Sequence, residues 1–133
     1  MAGEHAPTLY TVEEARALVP RLRVLLTALQ VEKRQLDAAL SALSELTPAM
    51  RANGHALTAL RHERRIAELT ASMREKIMEI TALDIEIKDL DAGLVDFFSL
   101  RDGRVVYLCW RVDEPTVAHW HELDTGFAGR RPL

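Results

Sequence analysis

The sequence predicts a mainly α chain with a small β cap (α+β): a long antiparallel helical hairpin followed by a short antiparallel three-stranded sheet. Three observations carry that expectation. Apolar residues recur in steps of three and four along two stretches, the spacing of a buried helical seam. A run rich in turn-forming residues, 47–54, divides the two stretches. Beyond Gly93 the period shortens, and β-branched and aromatic residues crowd into runs of strand length.

Residues 1–9 are small and polar with Pro7, and predict a loose lead-in. Thr11-Val12-Glu13-Glu14 has the spacing of a capping box, in which the Thr11 hydroxyl accepts from the third helical amide and Glu14 reaches back. Pro20 lacks an amide hydrogen and its ring crowds the preceding turn, so a short helix is expected to end or kink near Leu18 before a long one begins. The first seam is Leu22, Leu25, Leu29, Glu32, Leu36, Ala39, Leu43 and Leu46. The second is Ala59, His62, Ile66, Leu69, Met73, Lys76, Ile80, Leu83, Ile87, Leu90 and Leu94, with Gly93 as its stop. These spacings predict two helices of roughly 26 and 36 residues. Leu94 to Leu100 and Arg104 to Arg111 then flank Arg101-Asp102-Gly103, a strong hairpin signal. Val117 to Leu123 reads as the third strand, and the residues after it as an irregular tail. The expected layout is one domain over 1–133, with a helical arm over about 11–92 and a β cap over about 93–133.

Composition narrows the function classes. The chain of 133 residues is 48% hydrophobic and 28% charged, which suits a folded soluble domain. A formal charge of −3 gives no overall attraction to nucleic acid or anionic membrane. The N-terminal decapeptide has neither the basic start nor the apolar core of a secretory leader, and no uncharged apolar run reaches the ~18 residues of a membrane helix. A single cysteine, Cys109, cannot form an internal disulfide. A cytoplasmic location is therefore expected.

The stretches GLVDFFSLRDGRVVYLCWRVDE and VAHWHELDTGFAGRRPL, preceded by IEIKDLDAGL, resemble the small bacterial family catalogued as domain of unknown function 2203. The resemblance runs from the YTVEEARALVPRL opening to the end of the chain. Leu108-Cys109-Trp110-Arg111, Trp120-His121-Glu122 and Gly126 to Arg130 carry it most specifically, with Phe98 where the family usually has proline. It implies a shared fold and carries no activity with it.

His119-Trp120-His121-Glu122 is the sharpest polar cluster. On a strand the two histidines share a face, and two imidazoles so placed can ligate a divalent metal such as zinc. Asp124 would complete that set, or a carboxylate such as Asp84, Asp89, Asp91 or Asp96. The bland alternative is a pair of ordinary hydrogen-bonding histidines. Cys109 has two readings as well: a nucleophile with His121 as its base, or a small buried hydrophobe, and its apolar neighbours favour the second. Arg130 and Arg131 suit a carboxylate or phosphate, or a solvated surface. Trp110 and Trp120 are the largest side chains available to the cap, and with Arg111 and Glu122 they complete the candidate region.

Glu32 and Lys76 interrupt the seams and are expected to be paired or partly solvated. Leu26, Leu40, Ile77, Met78 and Ile85 are apolar beside the seams, a wider stripe than one partner helix covers, which predicts a homodimer formed through the helices. The sequence thus offers two readings of function. One is a non-enzymatic, self-associating interaction or scaffold protein; the other is a divalent-metal-binding protein or metal-dependent enzyme with its site around Trp120-His121-Glu122.

Overall fold

The structure is a computed structural model and describes residues 6–133. Part of the lead-in expected over 1–9 lies outside the described residues. The described part is tied down rather than loose: the Thr8 amide and hydroxyl both donate to Asp84 Oδ2 at 2.9 Å, and the Tyr10 amide donates to the Phe98 carbonyl at 2.7 Å. The capping box forms as the sequence predicts, with Thr11 N to Glu14 Oε1 at 2.8 Å and Glu14 N to Thr11 Oγ1 at 3.1 Å.

Helix α1 spans Val12–Ser44 without interruption, which corrects the expected break near Leu18. Pro20 is exposed, so the carbonyl it leaves unpaired one turn earlier can turn to water. Burial of Ala15, Val19, Leu22, Leu25 and Leu26 on the opposite side outweighs that lost bond. A short helix α2 (Pro48–Met50) and a wide turn, Arg51–His55, lead into α3 (Ala56–Thr81). Gly54, at φ 99°, breaks the helical path there. Among the described residues no helix is long and apolar enough to cross a membrane.

By its internal contacts the described chain divides into two compact units, Ala28–Ile77 and the remainder. In Ala28–Ile77 the seam residues Leu29, Ala39, Ala59, Leu69 and Met73 are buried, as the period requires. Arg65 donates to Gln35 at 3.0 Å and Lys76 approaches Glu32 at 3.0 Å. Later residues of α3 thus meet earlier residues of α1, so the two helical stretches of this unit run in opposite directions.

The other unit holds a five-stranded antiparallel sheet in the order β1-β2-β3-β4-β5, where three strands were expected. The strands are β1 (Ile85–Asp89), β2 (Leu94–Arg101), β3 (Arg104–Arg111), β4 (His119–His121) and β5 (Arg131–Pro132). The expected second helix to Gly93 therefore stops at Thr81, twelve residues early. Ile85-Glu86-Ile87-Lys88 alternates at period two, and pairing with β2 buries Ile85 completely enough to displace the helical alternative. Gly93 keeps its left-handed conformation (φ 69°), but in the turn between β1 and β2. β5 is the second strand missed; its two residues pair with His119 and Trp120 of β4. β2 runs through Phe98 unbroken, and Asp102 and Gly103 at φ 52° and 79° form the tight turn expected of Asp-Gly.

One face of this sheet carries the core. Phe97, Trp110, Val95, Leu108 and Val106 are buried there with Leu22, Leu26 and Ile80. Tyr10 meets Phe97 edge-on at 5.5 Å, the Arg23 guanidinium lies 5.2 Å from the Trp110 ring, and Trp110 Nε1 donates to the Glu114 carbonyl at 3.1 Å.

Candidate functional site

Strand alternation sends the residues between those core positions to the opposite face. Register then sets them in rows. Asp96 of β2 stands opposite Cys109 of β3, which stands opposite His119 of β4; one step on, Phe98 stands opposite Tyr107, which stands opposite His121. A face of this kind is normally solvated, yet Asp96, Cys109 and His121 are all at most 2% exposed. One ligand-type atom from each, a carboxylate oxygen, the thiol sulfur and an imidazole nitrogen, lies within 4.8 Å of the other two.

Hydrogen bonds fix the imidazole. His121 Nδ1 lies 2.7 Å from the Glu122 carbonyl, which can only accept, so Nδ1 bears the ring proton. Nε2 then presents a lone pair to Asp96 Oδ2, 3.1 Å away. Two facing lone pairs repel, so a proton or another cation must lie between them. The Cys109 thiol is the one other side chain that bonds the Asp96 carboxyl, and apart from it Asp96 Oδ1 is buried with no partner among the described residues. Burial pushes the Asp96 carboxyl above the ordinary carboxylate range, although His121 opposes the rise. Burial, and then the nearby Asp96 charge, push the Cys109 thiol up to about 12. Cys109 therefore keeps its proton at neutral pH and has no thiolate to act as a nucleophile unless a cation displaces that proton.

A second polar group adjoins the first. Arg130 donates to Glu114 Oε1 at 2.7 Å and reaches the Cys109 carbonyl at 3.4 Å, while its guanidinium lies 4.6 Å from the Phe127 ring. Burial acts to raise the Glu114 carboxyl, but Arg130 and the Arg111 amide, bonded at 2.8 Å, together hold it below its usual range. His119 turns toward this group, with Nδ1 3.6 Å from Glu114 Oε2. Gly129 belongs to the same segment, and a Cβ there would lie 2.5 Å from Thr125 Cβ, so the turn has no room for a side chain.

Sequence reasoning thus named two members of the central cluster, His121 and Cys109, and counted Asp96 among several carboxylates. The structure brings these three together. His119 is the register partner of Cys109 but turns toward Glu114, and Asp124 is exposed in the turn after β4. Trp110 lies in the core, and Arg111 pairs with Asp113 at 2.6 Å. Trp120 and Glu122 project to the core side of the sheet, where Glu122 meets Arg104. Glu114 and Tyr107 were not singled out. Tyr107 packs on His121 at 5.3 Å and donates to Glu86. The available signal was the Asp-Gly turn: once it fixes the β2–β3 register, Asp96 must oppose Cys109.

Residues 8–133 match the model of the family described as "Uncharacterized conserved protein (DUF2203)", and the chain belongs to that family. No curated protein and no solved structure matches it.

Proposed function

We propose that this protein binds a divalent cation, with zinc the best match, through Asp96, Cys109 and His121. The observation that carries the reading is the facing pair of acceptors, His121 Nε2 and Asp96 Oδ2, with the Cys109 sulfur beside them. A mixed sulfur, nitrogen and oxygen set suits zinc, and a metal-binding histidine normally anchors its other nitrogen as His121 does on Glu122. Ligands of a tetrahedral zinc lie ~3.5 Å apart, so atoms already within 4.8 Å need only small side-chain movements. A thiolate and a carboxylate also balance the ion's charge in a buried place. Three protein ligands are the number used where a fourth position takes water or substrate, which keeps a metal-dependent reaction within this reading.

The test is metal content of protein purified without a histidine tag, compared with Asp96→Asn and Cys109→Ser. About one equivalent in the wild type, lost in both variants while the fold persists, is expected. Wild type that stays metal-free after incubation with zinc overturns the proposal.

Self-association through the helices is a second reading, supported by exposed apolar side chains in Ala28–Ile77. Leu57, Leu60 and Leu40 are 57%, 48% and 46% exposed, a surface that a second copy would cover. Leu26 and Ile85 no longer contribute, since both are buried within the sheet-bearing unit. In this reading the protein is a cytoplasmic scaffold and a homodimer. Light scattering across micromolar concentrations tests it: a wild type that is dimeric and a Leu40→Glu variant that is monomeric are expected, and a monomeric wild type removes the idea.

A further inference from the structure

The core side of the sheet ends in a group of arginines that the metal reading does not use. Arg101 closes β2, Arg104 opens β3 and Arg131 belongs to β5, yet their guanidinium carbons lie 4.5, 6.0 and 5.4 Å from the centre of one ring, that of Trp120. Arg101 and Arg104 are register partners, directly opposite each other beside the Asp102-Gly103 turn. Like charges in that position destabilise a strand pair. One carboxylate answers them: Glu122 takes Arg104 through two bonds, Nε to Oε1 at 3.1 Å and NH2 to Oε2 at 2.6 Å. Among the described residues neither Arg101 nor Arg131 has an ion-pair partner.

Three strands thus converge three positive charges on a buried aromatic ring, with Glu122 paired to one of them and Asp102 nearby. Attraction between each guanidinium and the Trp120 ring holds the side chains in place but does not neutralise them. We infer that Arg101 and Arg131, with Arg104 behind them, form a binding site for a small phosphoryl dianion. The chemistry fits on three counts. Two unpaired charges match the two charges of the anion. The planar guanidinium fork matches phosphate oxygens, which a lysine ammonium would not do as well. The two side chains, fixed against one ring and about 10 Å apart at most, are within reach of a single bridging ligand and lose little freedom on binding it. The site is independent of the metal cluster, because Trp120 and His121 are adjacent in β4 and point to opposite faces.

The test is calorimetric titration of the full chain at low salt with inorganic pyrophosphate and, separately, inorganic phosphate. One site is expected, weakened about tenfold or more by Arg101→Ala and by Arg131→Ala, with Arg61→Ala on an exposed part of α3 unchanged. Arg101→Lys keeps the charge and guards against a folding defect; it should bind more weakly than the wild type and more tightly than Arg101→Ala. Wild type that binds neither anion at millimolar concentration overturns the assignment, as does equal weakening by Arg61→Ala. A single-stranded oligonucleotide that bound more tightly than pyrophosphate through the same arginines would overturn the choice of a small ligand.

Discussion

In the helical unit, Glu32, Ser72 and Lys76 form a polar group within an apolar seam; in the sheet-bearing unit, Asp96, Cys109 and His121 do the same on a buried face. The first group balances its own charge, although Glu32 Oε1 meets Lys76 as an ion pair and accepts no hydrogen bond among the described residues. The Ser72 hydroxyl donates to Glu32, Lys76 donates to Ser72 at 2.7 Å, and Lys76 neutralises Glu32 at 3.0 Å. Burial opposes ionisation of Glu32, yet Ser72 and Lys76 hold its carboxyl below the usual range. The second group has no lysine or arginine within it to balance its carboxylate: its carboxyl is pushed up and its thiol keeps a proton. A polar cluster that serves the fold neutralises its own members, whereas one that would serve a cation leaves charge for the cation to balance.

That contrast can be tested at decreasing scale. Trp110→Ala should cost about 3–5 kcal/mol, because the ring is fully buried beneath the strand that carries Cys109. A urea midpoint unchanged from the wild type would show that the sheet does not rest on this ring. Lys76→Ala should cost about 1–3 kcal/mol by leaving Glu32 partnered by Ser72 alone, and replacing Glu32 and Lys76 together by leucine should recover most of the loss. If the single and double variants lose equal stability, the group is not self-contained. Asp96→Asn should differ from metal-free wild type by about 1 kcal/mol at most, since the new amide can donate to His121 Nε2 and no charge is buried. A large loss of stability there would make Asp96 a structural partner of the Glu32 kind.

The contrast also extends to pH dependence, measured by urea unfolding with chelator present. The folded Cys109 thiol titrates at about 12 and the unfolded one near ~8.5. The folded state holds the proton more tightly, so this contribution is complete below ~8.5 and is lost as pH rises toward 12. Glu32 behaves oppositely: its folded value is lowered, so its contribution is present above ~4.3 and is lost as pH falls through the lowered value. Cys109→Ser should reduce the alkaline loss and leave the acid loss unchanged, and Glu32→Gln should do the reverse. An alkaline slope unchanged by Cys109→Ser would mean that the thiol is not held in its protonated form.

The same contrast explains what was legible in the sequence. The helical unit depends on local period, so its seam residues could be named one by one, and Glu32 and Lys76 stood out as charges in apolar positions. The site depends on register between strands, which one short turn fixes and no single stretch of sequence displays. Where local signals overlapped, the reading failed. Leu83, Ile87 and Leu90 continue the heptad and Ile85 and Ile87 begin an alternation, so pairing with β2 decided between them. β5 contains two residues, one of them Pro132, and has no pattern of its own; β4 recruits it. Pro20 was weighted as a helix breaker, but a proline on the wet side of a helix is offset by what the dry side buries.

The Asp102-Gly103 turn has a consequence in time as well as in space. Hairpins closed by such a turn form within about 1–10 μs, long before contacts between distant strands assemble. Asp96 and Cys109 are therefore opposite each other early, while β4 and the segment bearing Phe127 and Arg130 are still unplaced. On those general timescales the β2–β3 pairing of Asp96 with Cys109 is expected to precede the addition of β4 with His121. Under the proposed cation-binding reading, loading during folding would pass through a face that is buried in the finished protein.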